Sequence, residues 1–572
     1  MKPEEAYGIR IAGDLSLDGG LFYTVKEIEN GEYRTYIYHG DKKITFSGND
    51  HNPVFNGALY YIRSGKDEDS IIRLDYGSEP QRVASFFKIK KIISAGNRIL
   101  AIAREKPEEK TFFEAKRLKY RFNGYGYLST NFHLYDINGR CIFSGDVGDA
   151  AANDDFILVN ELNDYNISNL YKIDFSGNIM EKIAENIDVS SIAVSERGKI
   201  AFTWSPAMKA GEVRRLRMDN NDLIVGSDSA VSIISDSFMS TGRQMKFYND
   251  DLYIIAQERS YSNIYRISDK IEKVTDNNYY IREFDVNDSG LAYIYSTPEK
   301  PCIINFNGEI DINNVNGKTT EIIDFMNGEA FFMLYSRDAP TILFIHGGPN
   351  AAYGRSYYIE FQYFYDNGYN ILYSNPPGST GYGQEYEKAC VGDWGNLDTK
   401  YIFDLIEYIR KRYNIKNCFG ITGGSYGGYL TNWIVSHYDY FKCGISERSI
   451  SNLLSMIGTS DIGFWFNAIQ LNIDDPYKDE SIEKLMKYSP IKYVKNVKTP
   501  LMLITGEEDY RCPIEQAEQF FIGLKLNNID TELIRYLGDN HEHARAGIPK
   551  NMIDRLYKKL AWFDRYLKTC KE

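Results

Sequence analysis

The chain has 572 residues and a formal net charge of −13, with 25% charged and 43% apolar residues. This length exceeds what one hydrophobic core usually organises, so two or more domains are expected. Lysine and arginine are scattered among acidic residues and form no basic tract, which argues against a nucleic-acid-binding protein.

The N-terminal stretch MKPEEAYGIR lacks the apolar centre of a signal peptide, and no run of about 18 uncharged apolar residues would span a bilayer. The seven cysteines are scattered without metal-site spacing, and neither HExxH nor CxxC occurs. The sequence therefore predicts a cytoplasmic protein with reduced thiols, no membrane association, and neither a metal nor another cofactor.

Up to about residue 310, turn residues alternate with pairs of short apolar strands, such as GGLFYTV with TYIYH and NDDLYIIAQE with NIYRISD. Seven such units have first strands that begin near residues 19, 56, 96, 153, 196, 249 and 287. Their mean spacing of about 45 residues is typical of four-stranded propeller blades. The pattern predicts a seven-bladed β-propeller over residues 1–315, with a β-sandwich or two stacked β-domains as the alternative.

The stretch REKPEEKTFFEAKRLKYRFNGYGYLST, residues 104–130, interrupts the third unit with charged and aromatic residues. It is expected to protrude from the ring. Such an insertion either covers the active site or decorates the surface.

After residue 315 the pattern changes to apolar strands that alternate with longer helical stretches. TILFIHGG, NCFGITGG and TPLMLITGE are strand-like, whereas TKYIFDLIEYIRKRY has helical periodicity. This alternation is typical of a parallel α/β sheet. Residues 316–572 are therefore predicted to form an α/β domain, and the serine motif within it predicts an α/β-hydrolase.

Four glycines, Gly423, Gly424, Gly427 and Gly428, surround Ser425 where an apolar strand turns into a helical pattern. Glycine permits positive φ and close backbone approach, so the stretch predicts a sharp, crowded turn. It fits the G-x-S-x-G nucleophile elbow, which exposes a serine hydroxyl at the end of a strand. The alternative is a glycine-rich connection that only packs well or holds a phosphate at the helix N-terminus.

A serine hydroxyl needs a base to take its proton, and in α/β-hydrolases that histidine comes last in the chain. His541 and His543, in GDNHEHARAG, are the two late histidines and directly follow a predicted strand. The acid is expected between serine and histidine, where the loop GEEDYRCP offers Glu507, Glu508 and Asp509. Position alone leaves all three acids open.

An oxyanion hole needs backbone N–H groups aimed at the developing negative charge. Tyr426 directly follows the nucleophile and supplies one such N–H. The stretch FIHGGPNAAYG ends an earlier strand with a glycine pair like the HGG-type loop of lipases and esterases, which makes Gly348 the predicted second donor.

The assembled motifs IHGGP, NPPGSTGYG, GDWG, GGSYGGY, GTSDIG, GEEDYRCPIEQAE and GDNHE resemble, in order and spacing, the prolyl oligopeptidase family of serine peptidases. The resemblance is to its acylaminoacyl peptidase branch. It covers most of residues 316–572, whereas the first half is similar in length and rhythm only. The resemblance implies that Ser425 is the nucleophile, Asp509 the acid and His541 the base, with the oxyanion held by the backbone of Gly348 and Tyr426.

The resemblance further implies that Arg511 donates a hydrogen bond to a substrate carbonyl. It also implies that Phe464, Trp465 and Phe466, after GTSDIG, line an apolar specificity pocket. Three consecutive aromatic residues cannot all face one side of a helix, so some of them are expected in the core. The sequence departs from the branch at NPPGS, where Pro377 stands at a position that the branch gives to arginine.

The sequence thus predicts a cytoplasmic serine peptidase that acts on short peptides through a Ser-His-Asp triad. It would release N-acylated amino acids or cut after an apolar residue. A carboxylesterase with the same triad, and a dipeptidyl peptidase using Glu108 and Glu109 to bind a free amine, are the alternatives. A non-catalytic propeller scaffold is disfavoured because every triad element is present. The expected partners are short peptides, and a homo-oligomer stays open.

Overall fold

The computed structural model describes residues 1–108, 110–234 and 243–570. The first half of the chain consists almost entirely of antiparallel strands, and the second half alternates strands with helices. A β-propeller domain is therefore followed by an α/β-hydrolase domain. The domain bounds at residues 315 and 316 stay a prediction.

Five separate four-stranded antiparallel sheets form most of the propeller. Their strands are Ile11–Ser16, Phe22–Glu29, Glu32–His39 and Lys42–Lys43; Asp50–Phe55, Leu59–Arg63, Asp69–Leu74 and Gln81–Phe86; Lys88–Ala95, Arg98–Arg104, His133–Asp136 and Cys141–Phe143; Met245–Tyr248, Asp251–Glu258, Tyr261–Ile267 and Ile271–Lys273; Tyr280–Asn287, Gly290–Ser296, Ile303–Asn305 and Glu309–Asp311.

A sixth sheet has seven strands and comes, in chain order, between the third and fourth of these sheets. Its strands are Val147–Ala152, Ile157–Leu162, Ser168–Ile173, Ile179–Val194, Ile200–Pro206, Arg215–Met218 and Asn221–Leu223. Six sheets therefore stand where seven separate blades were predicted, because the 16-residue strand Ile179–Val194 is continuous. Its first part pairs with Ser168–Ile173 and its second part with Ile200–Pro206, so no gap separates the two halves.

The seven predicted strand pairs correspond to antiparallel pairs inside these sheets. The first pair is joined by Asn30 and Gly31, whose φ angles of 53° and 79° suit the tight hairpin turn that favours Asn-Gly. The sequence missed the strand that precedes each of the seven pairs, for example Lys88–Ala95, because KIKKIISA does not alternate regularly.

The inserted residues 104–130 form a short hairpin of Arg121–Phe122 and Gly126–Tyr127. It emerges between the second and third strands of the third sheet. Its tip reaches the hydrolase domain, as described below.

An eight-stranded sheet forms the centre of the hydrolase domain. Its strands, in spatial order, are Glu321–Phe325, Gly328–Met333, Asn370–Ser374, Thr341–Ile345, Phe419–Ser425, Cys443–Ser449, Leu501–Gly506 and Thr531–Tyr536. The first two strands are antiparallel, and the sheet is parallel from Asn370–Ser374 onward. Strands such as Leu501–Gly506 are buried along their whole length, as is typical of parallel sheets covered on both faces.

Helices cover both faces of this sheet, and the core lies between sheet and helices. The helices of the described chain are Pro3–Ala6, Ile359–Asp366, Gln384–Lys388, Leu397–Tyr413, Tyr426–His437, Leu453–Thr459, Gly463–Gln470, Asp479–Lys487, Ile514–Leu526, His543–Ala546 and Pro549–Leu567, with a 3-10 helix at Pro490–Asn496. None of these helices is both long enough and apolar enough to cross a bilayer.

The two domains are joined by more than the connecting chain. Ile233–Ile234 of the first half pairs in parallel with Ala352–Tyr353 of the second.

Cys418 and Cys570 form a disulfide across 152 residues, so the expectation of reduced thiols fails for this pair. It arises because the last helix returns the chain to the start of the strand that carries Ser425.

Candidate active site

Ser425 is the last residue of the strand Phe419–Ser425 and directly precedes the helix Tyr426–His437. Its backbone has φ 61° and ψ −121°, a conformation that costs free energy in a residue other than glycine. The strand thus ends in a strained turn that separates the serine from its neighbours. This geometry is that of the nucleophile elbow predicted from the glycine pattern.

The glycines around Ser425 are required by close backbone contacts. A Cβ on Gly427 would lie 2.0 Å from the carbonyl oxygen of Ile345, and a Cβ on Gly428 would lie 2.6 Å from the Cβ of Ser449. Ile345 and Ser449 end the two strands that flank the serine strand. The helix after Ser425 therefore begins in direct contact with both neighbouring strands.

His541 and Asp509 form a buried pair at the carboxyl ends of parallel strands. His541 follows Thr531–Tyr536, Asp509 follows Leu501–Gly506, and His541 Nδ1 lies 2.8 Å from Asp509 Oδ2. The second carboxylate oxygen accepts hydrogen bonds from the backbone N–H groups of Arg511 and Cys512, at 2.9 and 2.8 Å. The carboxyl group is therefore fixed in place and oriented toward the imidazole.

Burial controls the ionisation of this pair. It raises the pKa of the Asp509 carboxyl to about 7, against the opposing effect of the backbone hydrogen bonds. Burial also lowers the pKa of the His541 imidazole well below its ordinary value, and repulsion from the Arg448 guanidinium lowers it further. His541 is thus held in the neutral form that a general base requires.

The other candidates for acid and base have different partners. Glu507 Oε1 lies 2.7 Å from Nε of Arg535 at the surface. His543 is fully buried, and its Nε2 lies 3.4 Å from Glu447 Oε2 rather than beside Asp509. Of the acids in the GEEDYRCP loop, Asp509 is the one that bonds to a late histidine.

Ser425 and His541 are both described, and their side chains are not hydrogen-bonded to each other in this structure. Catalytic hydrogen bonds are often long in unliganded enzymes and tighten when substrate binds. The Ser425 hydroxyl lies near the thiol of Cys512 and lowers the pKa of that thiol. Burial nevertheless raises the pKa of this thiol well above its usual range, so Cys512 is un-ionised beside the serine.

The glycine pair after the strand Thr341–Ile345 lies next to the serine. A Cβ on Gly347 would lie 3.2 Å from the Cβ of Ser425, so Gly347 permits this approach, which sequence reasoning missed. Gly348 follows with φ 128°. The side chain of Tyr426 is buried and bonds to Asp398, while its backbone starts the helix. The assignment of Gly348 and Tyr426 as oxyanion donors stays a prediction.

His346 precedes the glycine pair and is buried. Its Nε2 lies 2.9 Å from Oγ of Ser379, in the NPPGS loop that contains Pro377. Burial lowers the pKa of His346 to about 4, so this imidazole is neutral. His346 thus connects the loop after Thr341–Ile345 to the loop that contains Pro377.

Arg511 points toward the site but is paired. Its Nε lies 2.7 Å and its Nη2 lies 3.2 Å from the two oxygens of Asp461, whose side chain is buried. Among the described residues its Nη1 has no hydrogen bond, and its role toward a substrate carbonyl stays a prediction. Asp461 lies in the GTSDIG stretch, where no local sequence pattern marks it as a partner of Arg511. Its proximity to Arg511 depends on two loops that are distant in sequence.

Phe464, Trp465 and Phe466 lie on the helix Gly463–Gln470 and are all half-buried. Phe464 contacts Tyr165 of the propeller with ring centroids 5.5 Å apart, whereas Phe466 packs against the core residue Trp394 at 6.2 Å. The rings of Phe464 and Phe466 therefore face different surroundings. Which of them contacts a substrate stays a prediction.

Comparison with known proteins agrees with this architecture. A family model described as "Acylaminoacyl-peptidase, N-terminal beta-propeller domain" matches residues 24–301. A second model, described as "Prolyl oligopeptidase family", matches residues 355–570. The two halves of the chain are thus matched separately, by a propeller and by a peptidase domain.

Curated relatives match the second half. The "Uncharacterized peptidase YuxL" of Bacillus subtilis is 46% identical over 230 residues, which are 40% of this chain and 35% of that protein. The acylamino-acid-releasing enzyme of Mus musculus is 27% identical over 236 residues, or 40% of this chain and 31% of that enzyme. The matches therefore span about a third of the length of these relatives.

A solved structure is similar along the whole chain. The acylaminoacyl peptidase of Pyrococcus horikoshii superposes with a TM-score of 0.87 at 24% identity, covering 100% of this chain and 98% of that one. This likeness shows a common fold. Together with the two family models, it places a propeller and a hydrolase domain in the same order along both chains. The chain belongs to the prolyl oligopeptidase family of serine peptidases, in its acylaminoacyl peptidase branch.

Proposed function

We propose that this protein hydrolyses short peptides by covalent catalysis at Ser425. The single observation that carries the proposal is the buried Asp509–His541 pair, joined at 2.8 Å beside a serine whose φ is 61°. A strained serine and a buried neutral histidine serve no evident structural purpose. Nucleophilic catalysis explains both.

In the proposed reaction, Ser425 Oγ attacks the scissile carbonyl carbon and His541 Nε2 takes its proton. Asp509 holds the Nδ1–H side of the ring and stabilises the imidazolium. The tetrahedral oxyanion is bound by the backbone N–H groups of Tyr426 and Gly348. His541 then donates its proton to the leaving amine, and water hydrolyses the acyl-enzyme by the reverse proton transfers.

We further propose that the substrates are short peptides with a blocked amino end or an apolar residue before the scissile bond. The relatives named acylamino-acid-releasing enzyme support the first choice, and the aromatic helix Gly463–Gln470 supports the second. Arg511 would donate a hydrogen bond from Nη1 to a substrate carbonyl, because its Nε and Nη2 are bonded to Asp461.

The propeller is proposed to be a seven-bladed ring that admits only small substrates. The seven-stranded sheet supports this count if Ile179–Val194 serves two blades, which together with the five separate sheets makes seven.

A series of unstructured peptides of increasing length, from a few residues to beyond about thirty and all with the same cleavable bond, tests whether the ring restricts substrate size. Rates that stay level along the series would refute a role of the ring in size selection.

Matched substrates test the substrate class. The same residue would be presented as an acetylated peptide, as a free peptide, and as an acetylated ester. For each substrate, kcat/KM would be divided by the rate constant of its uncatalysed hydrolysis. We expect this ratio to be highest for the acetylated peptide. Hydrolysis of the ester alone would favour the carboxylesterase, which the fold and the triad permit.

A dipeptidyl peptidase is less well supported. It needs acids that bind a free amine in the site, and Glu108 was one candidate. The Glu108 side chain is 83% exposed and pairs with Lys110 at 3.0 Å, so it faces solvent. Glu109, the other candidate, lies outside the described residues. Faster cleavage of the free peptide than of the acetylated one would nevertheless revive this alternative.

A further inference from the structure

Ion pairs and a hydrogen bond connect the base of the inserted hairpin, in residues 104–130, to the propeller. Arg117 Nε lies 3.0 Å from Asp164 Oδ1, and Lys119 Nζ lies 3.1 Å from Asp146 Oδ2. The backbone N–H of Leu118 donates to Asp164 at 2.9 Å. Because these contacts fix the base, the tip is held in one direction, toward the hydrolase domain.

At the tip, Asn123 contacts both loops that carry the predicted catalytic and substrate-binding groups. Its Oδ1 accepts a hydrogen bond from the backbone N–H of His541 at 3.1 Å. Its own backbone N–H donates to Asp461 Oδ2 at 2.9 Å, the same oxygen that accepts from Nη2 of Arg511. One propeller residue thus bridges the loop of the proposed base and the Asp461–Arg511 pair.

We propose that Asn123 is a positioning residue of the hydrolase active site, which fixes the His541 loop through its side chain and the Asp461–Arg511 pair through its backbone. The inference rests on the proposed function of Ser425 and His541. Asn123 is bonded to no atom expected to react, so it acts through these two loops. The propeller thereby completes the geometry of the site in addition to any role as a filter.

Other contacts of the hairpin support a docked tip. Arg121 donates to the carbonyl oxygen of Thr459, two residues before Asp461. The ring of Tyr127 lies 6.0 Å from that of Tyr510, which is next to Asp509 in the chain. Phe122 lies under the Arg511 guanidinium, 5.3 Å from ring centroid to carbon. The hairpin therefore touches each of the loops near residues 460 and 510, and reaches the His541 loop through Asn123.

The role of the Asn123 side chain follows from the backbone of the base loop. Without Oδ1 the N–H of His541 loses its acceptor at a half-buried position, and such a loss costs about as much as one hydrogen bond. The loop then settles in other positions, and the imidazole is misplaced relative to Ser425. A misplacement of about 1 Å lowers rates by up to about 100-fold.

The test compares Asn123→Ala with Asn138→Ala, a matched control. Asn138 is an exposed turn residue of the same propeller sheet, and within the described part of the chain its side chain has no hydrogen bond while its backbone N–H donates to Asp136. We expect Asn123→Ala to lower both kcat and the rate constant of fluorophosphonate labelling by about tenfold or more, while KM changes little. Asn138→Ala should leave both constants and the melting temperature unchanged.

A second variant separates positioning from mere folding. Asn123→Asp keeps an oxygen that accepts from the His541 N–H but adds a negative charge near the imidazole. Negative charge favours the imidazolium, so the acid limb of the kcat/KM profile should move up by about one pH unit. At about pH 9, where the pair is deprotonated, this variant should label several-fold faster than Asn123→Ala.

Three results would overturn the inference. The first is Asn123→Ala with kcat and labelling rate within about twofold of the unsubstituted protein. The second is a loss of activity no larger than the fraction of protein that is unfolded, measured by thermal melting. The third is an Asn123→Asp variant as slow as Asn123→Ala at high pH with an unshifted acid limb. Failure of the proposed function is distinguishable, because the unsubstituted protein would then not label at Ser425 at all.

Discussion

Replacing Gly427 by alanine tests how the elbow is built. Gly427 lies in the first turn of the helix Tyr426–His437, without the positive φ that would by itself exclude a side chain. In a helix, alanine is normally favoured over glycine by about 1 kcal/mol. Propensity alone therefore predicts a more stable protein.

The contacts of Gly427 predict the opposite sign. A Cβ there would lie 2.0 Å from the carbonyl oxygen of Ile345 and 2.9 Å from that of His346, against a lower limit of 3.0 Å for real contacts. Helix and strand must then separate by about 1 Å, and forcing extra volume into a packed interior costs about 1 to 3 kcal/mol. After the gain in propensity, we expect the free energy of unfolding to fall by up to about 2 kcal/mol.

The same displacement moves Ser425 away from the loop that begins at His346. Because a shift of about 1 Å near the reacting atoms lowers rates by up to about 100-fold, we expect labelling and turnover to fall more than stability does. Unfolding in urea and the rate of fluorophosphonate labelling measure the two effects separately.

Gly458→Ala is the matched control. Gly458 lies in the helix Leu453–Thr459, is exposed, and would place a Cβ in open space. It should be as active as the unsubstituted protein and more stable by about 0.5 to 1 kcal/mol. If Gly427→Ala is as stable and as active as Gly458→Ala, the close contact of the elbow with Ile345 is not as described.

Three further predictions concern ionisation, the late histidines and the disulfide. His541→Ala should lower kcat by about 1,000-fold or more, whereas His543→Ala should mainly lower stability, and the reverse result would exchange their roles. Burial raises the pKa of Asp509 to about 7, and Asp509 and His541 titrate as one coupled pair. Because the active form of this pair has lost its proton, kcat/KM should be maximal above about pH 7 and fall tenfold per pH unit below it. An acid limb below pH 5 would contradict that pairing. Alkylation of unfolded, unreduced protein should leave Cys418 and Cys570 unmodified, and reduction should lower the free energy of unfolding by up to about 5 kcal/mol, the loop-closure estimate for 152 residues. Modification of all seven cysteines without reductant would refute the disulfide, which would be unusual for the predicted cytoplasmic location.

Local sequence patterns predicted the parts of the fold that depend on local chemistry. The glycines around Ser425 predicted a sharp turn because only glycine fits beside Ile345 and Ser449. Alternating strands and turn residues such as Asn30-Gly31 predicted the propeller hairpins. The seven-stranded sheet was missed because IMEKIAENIDVSSIAV contains a register change but no turn that would end the strand.

Contacts between distant segments could not be predicted in this way. Asn123 lies 418 residues before His541 in the chain, within an insertion whose direction no local pattern reveals. Asp461 lies in a loop rich in small polar residues, and it can bind Arg511 only because the fold places the two loops side by side. Between His541 and His543, the choice rested on the closer position of His541 to the end of the predicted strand and on the family resemblance.

The identity of the covalently modified residue tests the central claim most directly. The unsubstituted protein would be treated with a fluorophosphonate at about pH 8, where the Asp509–His541 pair has lost its proton, and the adduct mapped by peptide mass spectrometry. We predict one adduct per chain, on Ser425, absent from Ser425→Ala and formed far more slowly in His541→Ala. An adduct on any other residue, or one that persists in Ser425→Ala, would contradict the assignment of Ser425 as the nucleophile.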